Sequence, residues 1–269
     1  MARPKSKRQA CPARRLFVPE VSEDSPEMVL RGPQRRYVRD VLRMGRGDSL
    51  VLFDGSGMEY PSAITEATQR HVKIRILGKQ EGRRESPVDI LVGIGLLKTN
   101  KMEWVIQKVS ELGVREIHPV ATHRAVPALD PERAEQKRGR WQTIAQEASR
   151  QSGRSTVTDV RPVLSLDDIV KKSENVDISL LFTTEALSPL EALAQQQVAK
   201  PRRMLLLVGP EGGFSPEEEQ SAVKHGFLPV GLGPRVLRAE TAAILAVGLV
   251  QYRFGDLGGS PVDLAPTDP

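Results

Sequence analysis

The sequence predicts an α/β protein in two parts, a small basic β-barrel followed by a larger domain built on a parallel sheet. Three observations carry this. Between Leu16 and Leu77 the apolar residues come in short alternating or β-branched runs separated by Gly and Asp. From Val88 onward, near-continuous apolar runs alternate with segments of helical spacing. Between these regions lies KQEGRRESP at 79–87, polar, glycine-containing and closed by Pro87. The expected division is a barrel at 1–78, a linker at 79–87, an α/β domain at 88–256 and a Pro- and Gly-rich disordered tail at 257–269.

In the first part the expected strands are LFV (16–18), SLVLFD (49–54), MEYPSAI (58–64) and HVKIRIL (71–77). Gly47, Asp48 and the DGSG at 54–57 supply hairpin chemistry. The spacing predicts one helix over 35–44. It would set Tyr37, Val38, Val41, Leu42 and Met44 near one face and Arg35, Arg36, Arg39 and Arg43 on the others.

In the second part VDILVGIGLL (88–97) reads as a central strand buried on both faces. KMEWVIQKVSELG (101–113) then places Met102, Val105, Ile106, Val109 and Leu112 at helical spacing, with Gly113 as the stop. Further strands are expected at 114–120, 177–183, 204–209 and 227–232. Helices are expected at 131–151, 166–173, 188–197, 216–225 and from Glu240 to Arg253. No internal repeat is seen.

The net charge of +5 is unevenly placed, for residues 1–50 hold 12 Lys and Arg against 6 Asp and Glu. A basic front on a nearly neutral body suits contact with a polyanion, although a merely solvated surface would look the same. The one cysteine, Cys11, allows no intrachain disulfide and no thiolate cluster, which fits a reducing, cytoplasmic compartment. MARPKSKRQACPARR is basic, but no apolar core follows it as a secretory signal would require; a transit peptide is the lesser alternative. The longest apolar runs, such as 204–209, fall far short of the ~20 residues of a bilayer span. The four histidines, His71, His118, His123 and His225, lack metal-ligand spacing, so no metal is expected.

The most informative segment is LLLVGPEGGFSPEEEQSAV, 205–223. A buried strand runs into a turn containing Gly209, Gly212 and Gly213. Ser215, Pro216 and Glu218 then supply an N-cap, an N1 proline and a capping-box acid. Such a turn lets backbone amides approach a ligand at the carboxyl end of a strand, and a tight connection without a ligand would read alike. Glu211 and the acids at 217–219 disfavour a phosphate, and no P-loop Lys-Ser or Lys-Thr pair follows. GIGLLK at 93–98 lacks the third glycine of a dinucleotide fingerprint. A second segment, VGLGPRVLRAETAAILA at 230–246, repeats the design with Gly231 and Gly233. It sets Arg235, Arg238 and Glu240 in an apolar context, where charges need partners or a chemical role.

VGPEGGFSPEEE followed about twenty residues later by LGPRVLRAETA resembles the paired signature of the ribosomal RNA small subunit methyltransferase E family, within the SPOUT superfamily. RRLFVPE (14–20), VLRMGRGD (41–48), LLKTNKMEWVIQKVSELGV (96–114) and QSGR (151–154) resemble it in the same order, over nearly the whole chain. The resemblance implies an S-adenosylmethionine-dependent enzyme that methylates N3 of a uridine in 16S rRNA, as free RNA or in the assembled small subunit. It implies a PUA-like N-terminal barrel that binds RNA, a C-terminal trefoil knot that holds the cofactor, and a homodimer whose site uses both subunits. General topology rules would have argued against a knot.

By this resemblance the cofactor loops fall at Thr184 and Glu185, at Gly209, Pro210, Glu211, Gly212 and Gly213, and at Leu232, Gly233, Leu237, Arg238 and Thr241. Arg150 and Ala128 depart from the family pattern, where an acid and a lysine are common. Uridine N3 carries a proton and is a poor nucleophile until it leaves. Arg154 or Arg238 is expected to stabilise the resulting anion, and Glu240 to take the proton or orient a helix. Arg14, Arg15, Arg35, Arg36, Arg39 and Arg43 are the expected phosphate contacts. A non-catalytic RNA-binding module would keep the basic front without a cofactor, and a SPOUT enzyme acting on transfer RNA would bind the same one.

Overall fold

The computed structural model describes residues 14–21, 25–82, 84–125, 130–185 and 201–258. The expected helix at 188–197, residues 259–269 and Ala128 lie outside these. The chain divides into two compact units. One gathers the described residues up to Arg84 together with Gly153–Thr156, the other Glu85–Ser152 and the residues from Val157 onward. Part of the segment expected as a linker, 79–87, is a strand of the first unit, and a short piece of the expected second domain belongs there too.

The first unit carries β1 (Arg15–Phe17), β2 (Glu27–Leu30), helix α1 (Gly32–Arg36), β3 (Ser49–Phe53), β4 (Met58–Ala67), β5 (Val72–Ile76) and β6 (Gln80–Glu81). They form one sheet in the order β1-β3-β4-β5-β2, with β6 also on β4. Strand β2 has no signal in the alternation, since only Leu30 of EMVL is buried. Leu16, Leu30, Val38, Leu52, Ile64, Val72 and Ile74 make the core. Thr156 bridges to Gly55 and Ser56, so Gly153–Thr156 lies beside the turn between β3 and β4.

The predicted helix over 35–44 begins earlier and changes its winding. After α1 the chain takes one π turn, Tyr37–Val41, in which the Leu42 amide donates to the Tyr37 carbonyl five residues back. The extra residue rotates the face by one position. Val41, expected inward, is 65% exposed, while Val38 and Met44 are buried and Leu42 half-buried. Arg43, at φ 54°, ends the segment.

In the second unit follow β7 (Asp89–Gly95), α2 (Thr99–Glu111), β8 (Glu116–Ala121), α3 (Pro131–Ser152), β9 (Asp159–Val160), β10 (Leu164–Ser165), α4 (Leu166–Val170), β11 (Ile178–Phe182), β12 (Arg203–Val208), α5 (Pro216–Lys224), β13 (Leu228–Val230) and α6 (Ala239–Phe254). The seven strands pair in parallel in the order β10-β8-β7-β12-β11-β13, with β9 also on β8. Ile90, Val92, Ile94 and Leu206 pack on one face against Met102 and Ile106 of α2, Trp141 of α3 and Val247 of α6. Leu91, Leu205 and Leu207 pack on the other against Ile169 of α4 and Ala222 of α5. Burial on both faces is why these strands are continuously apolar, and each such side chain contributes about 2 kcal/mol. Among the described residues no helix is long and apolar enough to cross a membrane.

Candidate functional site at the carboxyl edge of the parallel sheet

Strands β12, β11 and β13 are neighbours that end at one level, for Phe182 pairs with both Val208 and Val230. The turns that follow them therefore leave the same edge of the sheet, where open α/β sheets hold their ligands. These turns and the first turn of α6 contain every cofactor position expected from the sequence. Thr184 and Glu185 are exposed after β11; Gly209 to Gly213 follow β12; Leu232, Gly233, Leu237 and Arg238 follow β13; and Thr241 is exposed in the first turn of α6.

The turn after β12 is held from several sides. Gly209 is closely packed, for a Cβ there would stand 3.2 Å from the Phe214 ring, tighter than most contacts of that kind. At Gly95, the last residue of β7, a Cβ would stand 2.6 Å from the Pro210 nitrogen, so two backbones meet there. The capping box is present as expected: the Glu218 amide donates to Ser215 Oγ and the Ser215 amide to Glu218 Oε2. The other Glu218 oxygen accepts the His123 amide at 2.8 Å, and Arg124 Nη1 donates to the Gly212 and Phe214 carbonyls, each at 3.1 Å. Thr183 Oγ1 donates to Glu219 Oε1 at 2.9 Å, tying the turn after β11 to α5. Gly213 and Gly233 have φ of 68° and 93°, and a Cβ on either would meet nothing within 4 Å. Glycine is required there by conformation, and the space beside it is open.

The turn after β13 differs. Arg235 and Arg238, expected in an apolar context, are exposed, so neither bears a burial cost; Val236 is 84% exposed. Strand β13 ends at Val230 and α6 begins at Ala239. Glu240, in the first turn of α6, is 9% exposed, and its Oε2 lies 3.2 Å from Lys101 Nζ. Burial pushes the Glu240 pKa up, but its own backbone amide and Lys101, with Arg238 beyond, outweigh that and hold it below the ordinary carboxylate value. A carboxylate so held is a weak proton acceptor. Lys101 reaches Glu211 Oε1 at 3.2 Å as well. Sequence reading missed Lys101 and Arg124, since their partners lie about a hundred residues away and neither falls in a glycine motif.

The two candidate catalytic arginines lie in different units. Arg238 is the exposed N-cap residue of α6. Arg154 belongs to the first unit and is 3% exposed, with Nη2 donating to Thr156 Oγ1 at 2.9 Å. Among the expected phosphate contacts, Arg14, Arg36 and Arg43 are exposed. Arg35 pairs with Asp40 at 3.0 Å, and Arg39 donates to the Ala67 carbonyl at 2.9 Å. Arg15 takes a structural place instead. It pairs with Glu59 at 2.7 Å, donates to the Arg154 carbonyl at 2.9 Å and stacks over Phe53. Arg31 and Arg46, exposed in the same basic stretch, were counted in its charge but not singled out.

Comparison with known proteins bears on this arrangement. A model of the RNA methyltransferase domain matches residues 84–251, and one of the RNA methyltransferase PUA domain matches residues 30–77. Ribosomal RNA small subunit methyltransferase E of Bacillus subtilis is 30% identical over 241 residues, covering 88% of this chain and 94% of that protein. The chain belongs to the ribosomal RNA small subunit methyltransferase E family. The Synechocystis member is 31% identical over 88% of this chain and 77% of its own. Among solved structures, the Neisseria gonorrhoeae member bound to S-adenosyl methionine superposes with a TM-score of 0.82 at 31% identity, covering 91% of this chain and 99% of that one. A Legionella pneumophila protein in complex with SAM gives 0.83 at 35% identity, with the same coverage.

Proposed function

We propose that this protein transfers a methyl group from S-adenosylmethionine to N3 of a uridine in 16S rRNA of the small ribosomal subunit. The observation that carries the reading is the convergence of three turns, two of them glycine-lined, at one level of three neighbouring parallel strands. The residues suit the cofactor. Gly213 and Gly233 leave open space, and Glu211 and Glu240 with one lysine between them leave a net negative charge for a sulfonium.

When bound, the cofactor supplies a methyl group on a good leaving group, so the chain's work is alignment, exclusion of water and control of the uridine proton. Arg238, exposed at the N-cap of α6 after the glycine turn that follows β13, is the residue we assign to the anion left on uridine when N3 loses its proton. The other arginine expected in this role, Arg154, is 3% exposed and donates to Thr156 within its own unit. The ion pair on Glu240 favours a helix-orienting role for it over a proton-accepting one.

The finer features of the reading have separate support. Strand β12 lies between β7 and β11, both earlier in the chain, as threading through a trefoil knot would leave it. The PUA match over 30–77 supports a barrel-like RNA-binding first unit, and the exposure of Arg14, Arg36 and Arg43 leaves them free to meet phosphates. Helix α6 is apolar on its outer side too, through Leu245, Leu249 and Tyr252, and Trp104 of α2 is 46% exposed. Such a face calls for a cover, and a second copy supplies it. The single cysteine agrees with a cytoplasmic setting.

Mass mapping of nucleosides in ribosomal RNA from a deletion strain tests the function. The expected result is loss of one N3-methyluridine from 16S rRNA and its return on complementation. A loss confined to transfer RNA points to the related enzyme class, and an unchanged profile with no cofactor binding by calorimetry points to a non-catalytic RNA-binding module.

A further inference from the structure

Lys101 stands where three chain segments meet. It lies in the first turn of α2, just after β7; Glu211 belongs to the turn after β12; and Glu240 opens α6 after the turn that follows β13. One ammonium, 3.2 Å from Glu211 Oε1 and 3.2 Å from Glu240 Oε2, links both glycine turns to the end of β7. An isolated surface ion pair contributes little, but this one is neither isolated nor wholly at the surface, for the Glu240 side chain is only 11% exposed. Remove the ammonium and two carboxylates face each other across its place, and like charges at that range push the two turns apart.

We propose that Lys101 is a positioning residue for the cofactor, setting the separation of the Gly209–Gly213 turn from the start of α6 at which an adenosine is gripped. This rests on the reading of these turns as an S-adenosylmethionine site. Lys101 touches neither the methyl group nor the uridine; it acts through Glu211 and Glu240. The role is geometric, and it predicts weaker binding of both S-adenosylmethionine and S-adenosylhomocysteine, the second of which lacks the sulfonium charge. A purely electrostatic role predicts the opposite pattern, because deleting a positive charge would tighten the cationic ligand and spare the neutral one.

The test is equilibrium binding of both ligands by calorimetry to the full chain and to Lys101→Met, Lys101→Arg and Glu211→Gln, with thermal unfolding as the check on folding. Lys101→Met is expected to weaken both ligands by about 10-fold, as coupled ion networks do, and Lys101→Arg to recover most of that. Glu211→Gln should weaken binding in the parent chain and cost less in the Lys101→Met background, where it removes a repulsion. Binding of both ligands to Lys101→Met within about twofold of the parent overturns the proposal, as does tighter S-adenosylmethionine with unchanged S-adenosylhomocysteine. Should Lys101→Met not fold, Glu211→Gln reads the same link, and parent-like affinity there overturns it. Failure of the parent chain to bind either ligand overturns the cofactor site itself, a separate result.

Discussion

The two ends of the parallel sheet are built from the same residue types and arranged to opposite effect. At the amino end, Glu116 of β8 accepts from Arg161 at 3.1 Å and from Arg203 at 3.5 Å. Buried His118 places Nε2 3.2 Å from it, near enough for an ion pair without the alignment of a hydrogen bond. A cleft of about 240 Å³ opens there, lined by Leu91, Glu116, Lys172, Asn175, Val176 and Arg203. Both oxygens of Glu116 are paired there. At the carboxyl end, Lys101 answers two acids at once, Arg235 and Arg238 point to solvent, and two glycines border open space. A charge whose partners are all supplied by the fold contributes to stability, and one left facing solvent beside a bend is available to a ligand. On this comparison, substitutions at the amino end should move stability and spare binding, and those at the carboxyl end the reverse.

The sharpest attempt to break it is Arg238→Ala. Turnover on small-subunit RNA should fall by about 100-fold, as when a donor to a developing anion is removed. Melting temperature should stay at the parental value; a fall would make Arg238 structural. Gly95→Ala comes next and crosses the divide. Its Cβ would lie 2.5 Å from Pro210 Cδ and 2.6 Å from the Pro210 nitrogen, and a proline backbone has little room to yield. Urea unfolding should show a loss of about 2 kcal/mol, with weakened cofactor binding alongside. Parental stability would mean that the two backbones can part without cost.

The smallest effect belongs to the amino end. His118 beside it lowers the Glu116 pKa and burial raises it; with Arg161 added, the carboxyl is held at about 2 against an ordinary 4.5. Its pKa is lower folded than unfolded, so the unfolded chain takes up the proton first. The stabilisation is complete above about pH 4.5 and is lost as the pH falls through about 2. Glu116→Gln should flatten the stability profile in that window, read by urea unfolding across pH, and leave cofactor affinity alone. A matching loss of affinity would erase the distinction between the two ends.

Much of this arrangement was legible in the sequence, for local reasons. Ser215, Pro216 and Glu218 lie within four residues, and their capping geometry follows from spacing alone. The buried strands announce themselves because both of their faces are covered. What escaped is non-local or irregular. Lys101 and its two acids are separated by more than a hundred residues, and charge is not periodic. The π turn at Tyr37–Val41 breaks the very periodicity that predicted a helix there, which is why Val41 was assigned to the wrong side. Arg15 was read as a phosphate contact because its basicity was visible and Glu59 was not recognisable as its partner. Arg235 and Arg238 have apolar sequence neighbours and so are expected among apolar residues, yet both are exposed between β13 and α6.

Glu59 of the first unit shares its carboxylate with Ser155, whose hydroxyl donates to it at 2.6 Å across 96 residues of chain. During synthesis, at roughly 5–20 residues per second, that hydroxyl reaches Glu59 only when more than half of the polypeptide has left the ribosome. The amino-terminal part, first to be made, already holds Glu59 through Arg15 and Gln80, and Ser155 adds its bond only when the segment that follows α3 arrives. A gene cut after Arg84 would thus yield a fragment lacking its own last piece, and any graft of this module onto another protein should carry residues 153–156 with it.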